Sequence, residues 1–134
     1  MQIAEYPDRR VWTFDDLEVI RLCIDYSFLL LMSGRDGDLT LNIHAPFRYR
    51  TGERVYEAEG EKLDTVAPVL EVLHKRVSNI TVWQNGDLAV EFSEQSEIKV
   101  TKDSQYESWE TTANAGLSSL AMLCSPHDGP PWRS

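Results

Sequence analysis

The segment YESWETT, Tyr106 to Thr112, sets two aromatic rings three residues apart (Tyr106, Trp109) and two carboxylates three apart (Glu107, Glu110). Paired carboxylates perform acid–base chemistry when burial raises one pKa and leaves the other group ionised at a shared site. In an extended chain an odd separation sends Glu107 and Glu110 to opposite faces, so they do not share a site. In a helical turn they would be neighbours and repel. Two readings of the segment coexist. Trp109 serves as a core anchor, and the surrounding residues form an acidic-aromatic contact patch. Large rings bury much area for little lost side-chain entropy, which favours them at interfaces.

Other reactive side chains are sparse. The three histidines, His44, His74 and His127, and the two cysteines, Cys23 and Cys124, fall at no metal-ligand spacing. Both cysteines lie in apolar stretches (RLCID, AMLCS), so buried free thiols are expected. No phosphate-binding glycine loop, dinucleotide fingerprint or nucleophile elbow occurs. No catalytic residues, metal or cofactor are therefore assigned.

The charge balance narrows the partners. The chain of 134 residues carries 22 acids against 13 bases, a formal net charge of −9. Nucleic-acid affinity comes mainly from Lys and Arg displacing counterions, so a nucleic-acid binder is not expected. A negative surface instead speeds encounter with a basic partner. Between Asp87 and Glu110 stand seven acids (Asp87, Glu91, Glu94, Glu97, Asp103, Glu107, Glu110) and two bases (Lys99, Lys102). Glu94 and Glu97 are the expected steering charges beside the contact set Tyr106, Glu107, Trp109 and Glu110. The opening MQIAEYPDRR has no basic start followed by an apolar core, and the longest apolar run, Phe28 to Met32, is too short to cross a bilayer. No membrane attachment and a cytoplasmic location are expected.

The elements that would position these residues are mostly strands. Residues 1–13 carry no period and read as an irregular lead-in. LEVIRLCID reads as a strand with Ile20, Leu22 and Ile24 on one face and Val19, Arg21 and Cys23 on the other. Asp25-Tyr26 makes a tight reversal into SFLLLMS, whose unbroken apolar run suits a central strand covered on both sides. GRDGD supplies a turn, and LTLNIHAPF alternates with Leu39, Leu41, Ile43 and Ala45 inward, ending at Pro46. RYR and RVYE form a hairpin around Gly52.

One stretch breaks the two-residue period. EKLDTVAPVLEVLHKRV places Leu63, Val66, Ala67, Leu70, Leu73 and Val77 on one helical stripe, with Asp64 or Thr65 as cap and Pro68 in the first turn. His74, Lys75 and Arg76 then complement the negative helix end. Asn85-Gly86-Asp87, between NITVWQ and LAVEF, is the clearest hairpin signal. EIKVT, YESWETT and LSSLAMLC complete the strands, followed by an irregular tail. The expected fold is a single α+β domain, residues 1–134 with a core over about 17–124. A curled, mainly antiparallel sheet of about seven to nine strands would carry one principal helix, about residues 64–76, packed on one face.

Pro68 to Leu70, Gly86 to Phe92 and Tyr106 to Glu110 carry a resemblance. Their succession is similar to a family of small uncharacterised single-domain bacterial proteins with a helix of Pro-Leu-Leu type, a Gly-x-Leu-x-(Val/Leu)-x-Phe strand and a closing Tyr-Glu-x-Trp-Glu motif. The likeness covers about residues 17–124. It implies a role like that of polymorphic-toxin immunity proteins, which bind and neutralise a cognate toxin domain. The leading expectation is a non-enzymatic protein that occludes a basic toxin domain's active site or groove. A small-molecule-binding β module is the second expectation, and a hydrolase using paired carboxylates or a cysteine the third. An exposed edge strand could also support a homodimer.

Overall fold

The computed structural model describes residues 1–102, 107–121, 123–124 and 131–132. The chain forms β1 (Gln2–Glu5), β2 (Arg9–Thr13), β3 (Leu17–Asp25), β4 (Ser27–Gly34), β5 (Gly37–Ile43), β6 (Phe47–Thr51) and β7 (Arg54–Ala58). After a short helical passage come β8 (Val77–Trp83), β9 (Leu88–Phe92), β10 (Ser96–Val100) and β11 (Trp109–Ala113). Neighbouring strands pair antiparallel in two sheets, one of seven in the order β1-β2-β8-β9-β10-β6-β7 and one of four in the order β11-β5-β4-β3. Residues 1–13, expected to be irregular, are two strands: β1 pairs with β2 from Gln2↔Thr13 to Glu5↔Arg10, and β2 continues onto β8.

One continuous core lies between the two sheets. Phe28 of the small sheet meets Phe47 of the large one with ring centroids 5.2 Å apart. The period-two alternation that fills this core holds in β5, where Leu39, Leu41 and Ile43 are buried, and in β9, where Leu88, Val90 and Phe92 are. The turn chemistry is met as well: Gly52 and Gly86 take positive φ at the two hairpin tips, and Tyr26 takes φ 55° at the β3–β4 reversal.

The expected principal helix is absent, and with it the α+β arrangement. Only α1 (Leu63–Val66) is α-helical, and a 3-10 segment, Ala67–Val72, replaces the rest. Pro68 sits at its start and lacks the N–H that an α-helix would need further along. Val66, Val69 and Val72 recur every third residue, the repeat of a 3-10 turn, and all three are buried. Of the stripe read from an α-helical period, Leu63, Leu70 and Leu73 are thereby turned outward, while Val66 and Val77 stay buried. His74 takes φ 71° in a turn, and Lys75 and Arg76 lie beside β3 instead of closing a helix.

Three smaller departures have local causes. A bulge between Val19 and Arg21 shifts the β3 register, so Leu22 and Ile24 stay on the core side with Val19, and Ile20 is left exposed. LSSLAMLC, expected as a strand, begins within a second 3-10 segment, Ala115–Leu120, which buries Leu117 and Leu120. Cys23 is exposed and Cys124 half-buried, against the expected burial of both thiols. Buried Thr111 ties the second 3-10 segment to β11: its hydroxyl donates to the Leu120 carbonyl and accepts from the Leu123 N–H at 3.1 Å. Among the described residues, no helix is long and apolar enough to cross a membrane.

Candidate functional site

The residues expected to form one contact patch are spread over the molecule. Tyr106 lies outside the described residues. Trp109 is fully buried, and its indole N–H donates to the Gly86 carbonyl at 2.8 Å, which fastens β11 to the Asn85-Gly86-Asp87 turn. Glu107 is exposed just before β11. Glu110 stands on the outer face of the small sheet beside His44, Nε2 to Oε1 3.4 Å. On that same face, opposite Glu110, the Asn42 Oδ1 is buried without a hydrogen-bond partner among the described residues.

Glu97 belongs to the other layer. It lies between Glu91 and Arg50 on the outer face of the large sheet. Glu94 is at the β9–β10 turn, where its carboxylate lies 3.7 Å from Lys75 Nζ. The pair Glu97 and Glu110 therefore faces away on opposite sides of the sandwich, while Glu94 joins a cluster that the sequence does not reveal.

That cluster anchors the connector between β7 and β8. Tyr49 on β6 is fully buried, and its hydroxyl donates to Glu71 Oε2 at 2.8 Å. Lys75 Nζ donates to Ser96 Oγ at 3.3 Å and lies 3.8 Å from Glu71. Burial, followed by the hydrogen bond and negative charge of Glu71, pushes the Tyr49 phenol up to about 12. The phenol therefore remains a neutral donor across the physiological range. Tyr49 and Glu71 are 22 positions apart. No local period reports such a contact, which is why sequence patterning misses it.

Held by this cluster and by its valines, the connector presents an apolar surface. Leu63 is 67% exposed, Leu70 44% and Leu73 39%. A large side chain in this state on a core-packing segment stands out, because scattered exposed leucines are ordinary but grouped ones mark contact surfaces. The connector's bases are all engaged: Lys62 with Glu59, Lys75 with Glu71 and Glu94, and Arg76 with Asp16. Glu61 and Asp64 have no ion-pair partner among the described residues, so the uncompensated charge beside the leucines is negative. The spacing of Val66, Val69 and Val72 around Pro68 is the one sequence signal that could have found this face.

Beside the connector runs the outer edge of β3. Val19 still bonds sideways, donating to the Lys75 carbonyl at 3.0 Å and accepting from the His74 N–H at 2.8 Å. Beyond it, from Ile20 to Asp25, no strand lies alongside among the described residues. Ile20 and Tyr26 are exposed, Tyr26 at 80%. Leucines, carboxylates and an open strand edge offer area, charge and backbone groups to another chain. No group of three or more His, Cys, Asp or Glu among the described residues is placed to hold a metal ion. A separate cleft of about 400 Å³ opens beside half-buried Trp83, lined also by Asp8, Gln84 and Asn85.

Residues 11–129 match the model of one family, described as a family of unknown function, DUF6188. The match spans most of the 134 residues and takes in the small sheet, the connector and the large sheet apart from β1 and the first residues of β2. No curated protein matches the chain, and no solved structure does.

Proposed function

The chain belongs to the DUF6188 family of unknown function, and we propose that it is a non-enzymatic protein that binds another protein through its connector surface. The observation that carries this reading is the outward turn of Leu63, Leu70 and Leu73 beside Glu61 and Asp64, which have no ion-pair partner among the described residues. Burying three leucines in a partner supplies the apolar anchors that a standard interface of about 1,600 Å² requires. The free carboxylates select a basic partner and speed its approach. A toxin domain fits that description, and the resemblance of Tyr106 to Glu110 and the neighbouring motifs to immunity proteins supports it. In this role the protein covers the toxin's active site or substrate groove and performs no reaction. Glu107 and Glu110 remain surface charges, and Trp109 acts through the fold.

The test is growth rescue. Cells expressing a toxin domain encoded beside this gene should survive when this protein is co-expressed. Survival should be lost with Leu70→Arg/Leu73→Arg, provided the variant's circular dichroism and expression are unchanged. Full rescue by that variant, or no rescue by the native chain, would reject the reading. A second reading, a small-molecule module, is favoured by the Trp83 cleft, whose volume of about 400 Å³ suits a small ligand. A metabolite screen that moves the melting temperature and quenches Trp83 fluorescence would support it, and a flat screen would remove it.

A further inference from the structure

We propose that β3 joins the β3 of a second copy, so that the four-stranded sheets of two chains become one eight-stranded sheet across a two-fold axis at Cys23. The edge is available from Ile20 onward, since Val19 is the last residue bonded sideways and neither α1 nor the 3-10 segment lies flush along the strand. The part of β3 from Ile20 to Asp25, left open in this way, is a template for another strand.

The sequence of the edge is complementary to itself. An antiparallel pairing centred on Cys23 sets Arg21 opposite Asp25 and Leu22 opposite Ile24, each pair occurring twice, and brings the bulged Ile20 level with Tyr26 at the reversal. Arg21, Cys23 and Asp25 share the outer face, and Leu22 and Ile24 the core side, so the faces of the two copies agree. A two-fold axis between residues would oppose outer to core-side positions and is excluded by the pleat. Axes at Leu22 or Ile24 keep the faces but leave Arg21 and Asp25 opposite Cys23 and other uncharged or unmatched residues. Only the Cys23 axis pairs the opposite charges.

The single chain leaves these groups unused. Arg21 and Asp25 are exposed and have no ion-pair partner among the described residues. Four residues apart on one strand, they are separated by about 13 Å and cannot meet within a copy. Ile20 and Tyr26, 48% and 80% exposed, would cover each other across the axis. Half-buried Leu22 and Ile24 would be sealed at the same seam. The seam does not depend on what the connector leucines bind.

Sedimentation equilibrium of the full chain tests the pairing, with circular dichroism to verify folding. The native chain should be a dimer at tens of micromolar. Arg21→Asp and Asp25→Arg each place like charges opposite and should weaken association at least tenfold. The combined Arg21→Asp/Asp25→Arg exchange restores opposite pairs and should restore the dimer. A native chain that stays monomeric at a few hundred micromolar overturns the proposal. So does a single variant that dimerises like the native chain, or a folded exchange variant that does not recover. Growth rescue is read separately, so a monomeric chain that still rescues removes the seam and leaves the connector's role standing.

Discussion

Val69 and Leu70 are adjacent, and the two helical periods assign them opposite fates. A 3-10 repeat of three residues puts Val69 in the core with Val66 and Val72, whereas an α-helical stripe puts Leu70 there instead. In the structure Val69 is fully buried and Leu70 is 44% exposed. Val69→Ala removes two buried methyl groups from a packed site, which costs about 2 kcal/mol once transfer and residual cavity are counted. Leu70→Ala removes atoms that already face water in part, and should cost about 0.5 kcal/mol. For a domain of this size each kcal/mol lowers Tm by roughly 3–5 °C, so the expected losses are roughly 6–10 °C and about 2 °C. Urea unfolding of both variants gives the free energies directly, and an unchanged m-value certifies that the denatured state is the same. A Leu70→Ala loss larger than that of Val69→Ala would refute the period-three connector and the outward leucines with it.

Three further outcomes follow from the core and the connector anchor. Tyr49 ionises near 10 when unfolded but about 12 when folded, so its stabilising contribution is complete below pH 10 and disappears as pH rises through about 12. Alkaline urea titrations should show that loss, at most about 3 kcal/mol and reduced by solvent at half-exposed Glu71, and Tyr49→Phe should lack it. Gly34→Ala would bring a Cβ to 1.8 Å from the Asp16 carbonyl oxygen, so it should destabilise by about 3 kcal/mol or more, read as a shifted urea midpoint. Trp109→Phe leaves the Gly86 carbonyl without its 2.8 Å donor and shrinks a fully buried ring, with an expected loss of about 2–3 kcal/mol by the same measurement.

What the sequence made legible was whatever depends on near neighbours. The alternation of Leu39, Leu41 and Ile43 and the positive-φ turn at Gly86 both appear as read, because each is a property of a few consecutive residues. The connector misled because six apolar residues satisfy an α-helical stripe while Pro68 and the three valines select the tighter turn. In β3 a single bulge inverted the face of Ile20, and no composition signal precedes it. Residues 1–13 found their place through pairing with β8, whose partner positions lie some 70 residues away, as Arg9 with Trp83 shows. The contact set fared similarly: Trp109 was legible as a core ring, whereas the separation of Glu94, Glu97 and Glu110 over both layers depends on the topology.

The central claim is that exposed leucines on a period-three connector bind a basic protein partner. Titration calorimetry of the native chain and the folded Leu70→Ala/Leu73→Ala variant, each against a purified basic toxin domain of the proposed kind, addresses it most directly. The account predicts that the variant binds at least about 30-fold more weakly, corresponding to about 2 kcal/mol of lost anchor contacts. Equal affinities for the two proteins would contradict it.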